Sequence, residues 1–136
     1  MLGRLNHVAI AVKDITSAAN TYRDILGAKV GEPLNQKEQG VTVVFIELPN
    51  TKIELITPLG KNSPILNFLN KNKNGGIHHI CYEVKDLKLA INNLIKNNYK
   101  LIGNNTPTIG AHGKPIIFLH PSNFDGTLIE LQEEWN

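Results

Sequence analysis

The sequence contains very little cysteine. Cys81 is the single cysteine among 136 residues, so an internal disulfide bond cannot form, and a zinc site built from several thiolates is excluded. Its position inside an apolar segment predicts a small buried side chain. The chain must therefore rely on an ordinary hydrophobic core, and its length is sufficient to form one.

Long apolar segments and dense blocks of one charge are also absent. No apolar run approaches the roughly 20 residues that cross a bilayer, and the net charge of +2 comes from lysines scattered among acidic residues. Phosphate backbones are usually bound by denser basic patches. The sequence therefore predicts no membrane partner and no nucleic-acid partner, while its slight positive charge suits a small anionic ligand.

Nothing near the first residue has the pattern of a targeting segment, because the first strand is expected to begin within about five residues of the start. With 41% hydrophobic and 19% charged residues, the composition is that of an ordinary globular protein. We therefore expect a soluble intracellular protein, unless a targeting segment has been removed from the chain.

What the sequence does contain is an internal repeat. HVAIAVKD, which begins at His7, and HICYEVKD, which begins at His79, share their histidine, the valine that ends the apolar run, and the Lys-Asp pair after it. Apolar residues at spacings of three and four then predict one amphipathic helix after each copy. Asp14 or Thr16 is expected to cap the first helix, and Asp86 the second.

Two strands are predicted after each helix. The four segments alternate or are rich in β-branched residues, and they are VTVVFIEL (41–48), TKIELITP (51–58), KPIIFLHP (114–121) and TLIELQEE (127–134). Each half of the chain is predicted to be a βαβββ module, and these segments are its last two strands.

The predicted first module covers residues 1–58 and the second covers residues 77–136. The connector between them, residues 59–76, includes a short predicted helix with Ser63 at its N-cap and Pro64 at its first position. We predict an α+β fold in which the curled mixed sheets of the two modules form one shared metal-binding cleft, because polar residues recur at the same strand positions in both.

Those polar residues are His7 and Glu54 in the first module and His79 and Glu130 in the second. Side chains alternate along a strand, so both glutamates are expected on the face opposite the helices. A single histidine at a strand start is more often structural, and a single glutamate in an apolar strand often faces water on an open sheet. The repetition is what favours a shared site. Such a nitrogen and oxygen set suits a divalent ion such as Mn²⁺, Co²⁺, Fe²⁺, Ni²⁺ or Zn²⁺.

Several longer motifs carry a family resemblance. LNHVAIAVKD, NTKIELITPLG, GGIHHICYEV and GAHGKPIIFLHP, together with LIEL, make the whole chain similar to the methylmalonyl-CoA epimerases of the vicinal-oxygen-chelate superfamily, which also includes glyoxalase I and extradiol dioxygenases. The resemblance implies paired βαβββ modules, a homodimer, an acyl-CoA thioester as substrate and a metal held by His7, His79 and Glu130. Glu54 matches a fourth ligand that is often glutamine in the family, and His78 is expected to be structural.

The resemblance also implies an isomerase that interconverts the (2R) and (2S) epimers of methylmalonyl-CoA. The C2 proton is abstracted, and a bound metal stabilises the enolate. Glu130 is the expected base at the metal. The second base of some members matches Val43 here, so Glu47, four residues along the same strand, is the favoured replacement, with Glu38 or water as alternatives.

Other functions remain open from the sequence alone. A glyoxalase I-type isomerase of a thiol adduct needs the same metal, and a metal-free small-molecule-binding protein of the same fold needs no ligands. Possession of all four candidate ligands argues against the binding protein. An oxygenase with two histidines and one carboxylate is disfavoured because a fourth ligand crowds the position that O₂ needs.

Overall fold

The computed structural model describes residues 1–134. They form two compact units. The N-terminal unit comprises His7–His78, and the C-terminal unit comprises Met1–Asn6 together with the chain from His79 onward. The main stretch of each unit therefore begins at one of the two repeated histidines.

Short helices connect the strands along the chain. In chain order the regular elements are β1 (Leu2–Ala11), α1 (Ile15–Asn20), a π-helical turn (Thr21–Ile25), β2 (Lys29–Val30), β3 (Leu34–Gln36), β4 (Val41–Glu47), β5 (Lys52–Pro58), α2 (Ile65–Lys71), β6 (Gly76–Val84), α3 (Leu87–Lys96), β7 (Thr108–Ile109), β8 (Pro115–Leu119) and β9 (Ile129–Glu133). Within residues 1–134, no helix has the length and hydrophobicity required to cross a membrane.

The N-terminal unit contains the strand order β2-β4-β5-β1, with β3 also paired to β4. β4 and β5 are antiparallel, which confirms the predicted hairpin, and β5 runs parallel to β1. A parallel neighbour requires a long connection, and the chain from α1 through the hairpin supplies it. The short strands β2 and β3 lie inside this connection and were not predicted.

Both faces of the N-terminal sheet are apolar. One face packs against α1 through Ala19, Val44 and Leu55. The other face, which was predicted to be the polar one, carries a second cluster that includes Val43 and Ile65 of α2. His7 and Glu54 therefore lie on a largely apolar surface.

The C-terminal unit repeats this construction with the strand order β6-β9-β8-β7. β6 and β9 are parallel, and β8 and β9 form the second predicted hairpin. Helix α3 packs its apolar stripe on one face of the sheet. The buried residues of this cluster are Val84, Leu87, Ala90, Ile91, Ile117, Leu119, Ile129 and Leu131.

The predicted helix caps are largely confirmed. Asp14 Oδ1 accepts the backbone N–H of Ser17 at 3.0 Å, and Asp86 Oδ1 accepts that of Leu89 at 2.9 Å. Each cap satisfies a backbone donor that the first helical turn leaves without a partner. Helix α2 begins at Ile65, one residue later than predicted, and the hydroxyl of Ser63 accepts the N–H of Ile65 at 3.3 Å.

Candidate functional site

The N-terminal unit pairs His7 with Glu54. In the parallel β1–β5 ladder Glu54 is opposite Ala9, two residues beyond His7, so both side chains lie on the same face. Nδ1 of His7 is 3.1 Å from Oε2 of Glu54. His7 is 1% exposed and Glu54 is 4% exposed. A buried carboxylate without such a partner would be costly.

The C-terminal unit pairs His79 with Glu130 in the same way. Glu130 is opposite Cys81 in the parallel β6–β9 ladder, again two residues beyond the histidine. Nε2 of His79 is 3.0 Å from Oε1 of Glu130, and both residues are buried. Cys81 is fully buried, as predicted. The sequence repeat thus becomes a repeated structural pair, although the two histidines use different ring nitrogens.

The donor atoms of each pair fit a divalent metal ion. Two adjacent ligands of an octahedral ion, each about 2.1 Å from it, lie about 3.0 Å apart. The two measured nitrogen–oxygen separations of 3.1 and 3.0 Å match this spacing. Imidazole nitrogens and carboxylate oxygens also belong to the ligand types that Mn²⁺, Co²⁺ and Zn²⁺ accept.

A family model described as Glyoxalase/Bleomycin resistance protein/Dioxygenase superfamily matches residues 6–118. A relative from Cereibacter sphaeroides, an ethylmalonyl-CoA/methylmalonyl-CoA epimerase, is 58% identical over 98% of this chain and 99% of its own. The chain belongs to the methylmalonyl-CoA epimerase family. The mitochondrial methylmalonyl-CoA epimerase of Homo sapiens is 54% identical over 97% of this chain and 74% of its own.

A solved methylmalonyl-CoA epimerase structure shows the same fold. That structure, which holds methylmalonyl-CoA and NH₄⁺, has a TM-score of 0.90 and 26% identity over 98% of this chain and 96% of its own. The predicted glyoxalase-type fold, with a mixed sheet and helices, is thereby confirmed.

The two positions considered for a second base in the epimerase family lie in different surroundings. Val43 is 1% exposed within the apolar cluster of the N-terminal unit. Glu47, at the end of β4, is exposed and is opposite Lys29 in β2 and Lys52 in β5. By ladder register Glu47 shares the face of Glu54. It therefore has the expected orientation, but it is not part of either buried His–Glu pair.

His78 and His120 have structural contacts. His78 packs against Phe68 of α2, with the rings edge to face and their centroids 5.1 Å apart. His120 accepts the backbone N–H of Ser122 at 3.0 Å through Nδ1 and so caps a short 3₁₀ turn. Lys114, in the GAHGKP motif, forms an ion pair with Glu134.

A phenylalanine accompanies each His–Glu pair, and the sequence reasoning missed it. Phe45 is opposite Glu54 in the β4–β5 ladder, and Phe118 is opposite Glu130 in the β8–β9 ladder. The ring of Phe118 meets that of His79 edge to face, with centroids 5.3 Å apart and planes at 90°. The signal was present in the sequence, since VVFIEL and IIFLHP both place phenylalanine after two β-branched residues.

Proposed function

We propose that this protein interconverts the (2R) and (2S) epimers of methylmalonyl-CoA. The observation that supports this most strongly is the buried His–Glu pair in each unit of a chain that is 58% identical, over nearly its whole length, to an epimerase of this substrate class. The name of that relative also includes ethylmalonyl-CoA. Ethylmalonyl-CoA is therefore the second substrate to test.

His7, Glu54, His79 and Glu130 together hold one divalent ion in this proposal, with Co²⁺ or Mn²⁺ as the preferred ions. When bound, the ion supplies positive charge that stabilises the enolate form of the substrate. The repeated geometry supports this set, because each pair offers one imidazole nitrogen and one carboxylate oxygen at the spacing of adjacent ligands. The family often has a neutral glutamine at the position of Glu54, so Glu54 adds a negative charge to the ligand set.

Proton transfer at C2 is assigned to carboxylates. The C–H bond breaks, its electron pair moves into the thioester carbonyl, and a carboxylate oxygen of Glu130 takes the proton. Return of a proton to the opposite face of C2 gives the other epimer, so a second acid is required. Glu47 is the proposed second group, supported by its place on the face of Glu54.

A substrate panel tests this function. The single epimer (2R)-methylmalonyl-CoA and the hemithioacetal of methylglyoxal with glutathione are each incubated with the Co²⁺-loaded protein. Conversion of the first to a mixture of the (2R) and (2S) epimers, with no isomerisation of the second, is the expected result. Turnover of the hemithioacetal alone would replace the epimerase proposal with a glyoxalase-type isomerase.

Two further properties belong to the proposal. We expect a homodimer, which sedimentation equilibrium measures directly. We also expect the protein to act where acyl-CoA thioesters are metabolised, in a bacterial cytoplasm or a mitochondrial matrix. The human relative carries the word mitochondrial in its name, and the Cereibacter sphaeroides relative is bacterial.

A further inference from the structure

The C-terminal unit buries polar side chains that the proposed chemistry does not use. Asn6, Glu83 and Gln132 are exposed by 4%, 4% and 1%. Gln132 in β9 is opposite Glu83 in β6, so the two share one face of the sheet. Buried polar groups are costly unless they are hydrogen-bonded. The hydrogen-bond partners of these three side chains therefore show which of their polar atoms are satisfied within the protein and which are not.

Glu83 has its partners within the unit. The Nδ2 of Asn6 donates to Oε2 of Glu83 at 2.9 Å, and Nε of Arg4 lies 3.4 Å from Oε1. Both carboxylate oxygens thus face a donor. Asn6, Arg4 and Glu83 therefore form a hydrogen-bonded group within the unit.

Gln132 differs from Glu83 because one of its polar atoms lacks a partner. Its Nε2 donates to Oε1 of Glu134 at 3.5 Å, and Glu134 is held in turn by Lys114. Its Oε1 is buried and has no hydrogen-bond partner within residues 1–134. Reversing the amide would turn its oxygen toward the carboxylate of Glu134, so this long contact favours the orientation in which Nε2 faces Glu134. The result is a buried, positioned acceptor oxygen.

This acceptor lies beside the proposed reaction centre. Gln132 follows Glu130 by two residues on the same strand, so their side chains point to the same face about 7 Å apart. Gln132 and Glu130 are buried to a similar extent. A molecule with its acidic carbon at Glu130 therefore extends either toward Gln132 or away from it.

The chemistry of the substrate selects which end extends toward Gln132. In an acyl-CoA, two methylene groups separate the thioester sulfur from the first amide N–H of the pantetheine arm, a donor within reach of the neighbouring acceptor. The free carboxylate at the other end of the methylmalonyl group has only acceptor oxygens, and it would be repelled by the oxygen of Gln132. An N–H donor therefore fits this position, and an anion does not.

We infer that Oε1 of Gln132 accepts a hydrogen bond from the first pantetheine amide N–H of the acyl-CoA, and so sets the direction in which the thioester lies across the sheet. This rests on the proposed function. Gln132 is a binding and positioning residue in this assignment, and it takes no part in the proton transfer. The amide nitrogen of Gln132 contacts Glu134, and Glu134 pairs with Lys114. These contacts favour the orientation in which Oε1 is the unpartnered atom.

Two short thioesters of methylmalonic acid test the inference. The thioester of N-acetylcysteamine keeps the amide N–H, and that of 2-mercaptoethyl acetate replaces it with an ester oxygen. Wild-type protein is expected to prefer the amide by roughly five- to tenfold in kcat/KM, the effect of one hydrogen bond. Gln132→Leu is expected to abolish the preference by lowering only the value for the amide. Gln36→Leu, in β3 of the other unit, serves as the matched control and keeps the preference.

Gln132→Glu, which retains an acceptor oxygen, is the second variant if the leucine variant fails to fold, and it is expected to keep a preference for the amide. Equal turnover of the two thioesters by wild type, or an undiminished preference in Gln132→Leu, overturns the inference. If wild type accepts only methylmalonyl-CoA, an unchanged kcat/KM for that substrate in Gln132→Leu overturns it as well. Failure of wild type to epimerise methylmalonyl-CoA itself identifies the proposed function as the part that is wrong.

Discussion

Glu54 and His7 lie on adjacent parallel strands, with the carboxylate two residues ahead in register and 3.1 Å from the imidazole. Glu130 and His79 repeat this relationship at 3.0 Å. Each pair is buried on a sheet face that also carries apolar residues. Two positions so alike, in two units built from related sequences, are expected to serve one function.

Metal binding is expected to stabilise the protein. A ligand that binds only the folded state adds about 2.7 kcal/mol to the free energy of unfolding at a concentration 100 times its Kd. Chelator-treated wild type should therefore unfold at a higher temperature when Co²⁺ is added, and His7→Ala should lose this response. Calorimetry measures both. An identical midpoint for wild type with and without Co²⁺ and Mn²⁺ would exclude the metal site.

Replacing Glu54 by glutamine tests the consequence of its extra negative charge. Glu54→Gln is expected to weaken Co²⁺ binding about tenfold, or about 1.4 kcal/mol, because a charged ligand becomes neutral. At saturating Co²⁺ its kcat should rise, since the ion then retains more of its acidity. Metal titration and steady-state kinetics measure the two effects. Glu32→Gln, a control at an exposed position, should change neither the affinity nor kcat. A fall in the kcat of Glu54→Gln at saturating Co²⁺ would mean that Glu54 has another role.

Phe118 is expected to hold the ring of His79 in position. Phe118→Leu should lower the free energy of unfolding by about 1 kcal/mol and weaken Co²⁺ binding several-fold, because the edge-to-face contact is lost. Phe124 makes a similar contact with Tyr99, at 5.6 Å between centroids, away from the His–Glu pair. Phe124→Leu should therefore cost comparable stability and leave metal affinity unchanged. Equal loss of affinity in both variants would show that the effect is one of general stability.

The GGIHH segment requires glycine at position 75. Gly75 has φ of +83°, and a Cβ atom there would lie 2.5 Å from the carbonyl oxygen of Ala11. Gly75→Ala is expected to cost about 3 kcal/mol, combining left-handed strain with a backbone clash. Gly113 has φ of +74° and open space around it, so Gly113→Ala should cost only about 1 kcal/mol. Chemical denaturation measures the free energy of unfolding of both variants. Equal losses would show that the clash with Ala11 contributes nothing.

The sequence repeat was enough to predict the elements that carry the pairs. The period of two in each strand placed Glu54 and Glu130 on the face opposite the helices. The polar residues before the helices predicted Asp14 or Thr16 as the first cap and Asp86 as the second, and the structure has Asp14 and Asp86. These features depend on local spacing, which a single sequence contains. The apolar second face of the N-terminal sheet was not predicted, because the spacing of residues within a strand does not show that α2 packs against that face.

Other features depend on contacts that no spacing reveals. The two-residue strands β2 and β7 exist because longer strands pair with them. The acceptor oxygen of Gln132 has no partner within residues 1–134, while the amide nitrogen faces Glu134 and Glu134 pairs with Lys114. Neither pattern nor composition identifies such an atom, since glutamine beside two glutamates in QEE has the appearance of a solvated strand end.

Exchange of the C2 hydrogen of methylmalonyl-CoA in D₂O tests the central claim most directly. Co²⁺-loaded wild type, Glu130→Gln and Glu47→Gln are compared by mass spectrometry and chiral analysis. Wild type is predicted to incorporate deuterium and to epimerise the substrate. Glu130→Gln is predicted to do both at no more than roughly a hundredth of the wild-type rate. Glu47→Gln is predicted to lose epimerisation while retaining some exchange. Full exchange by Glu130→Gln, or none by wild type above buffer, would contradict the account.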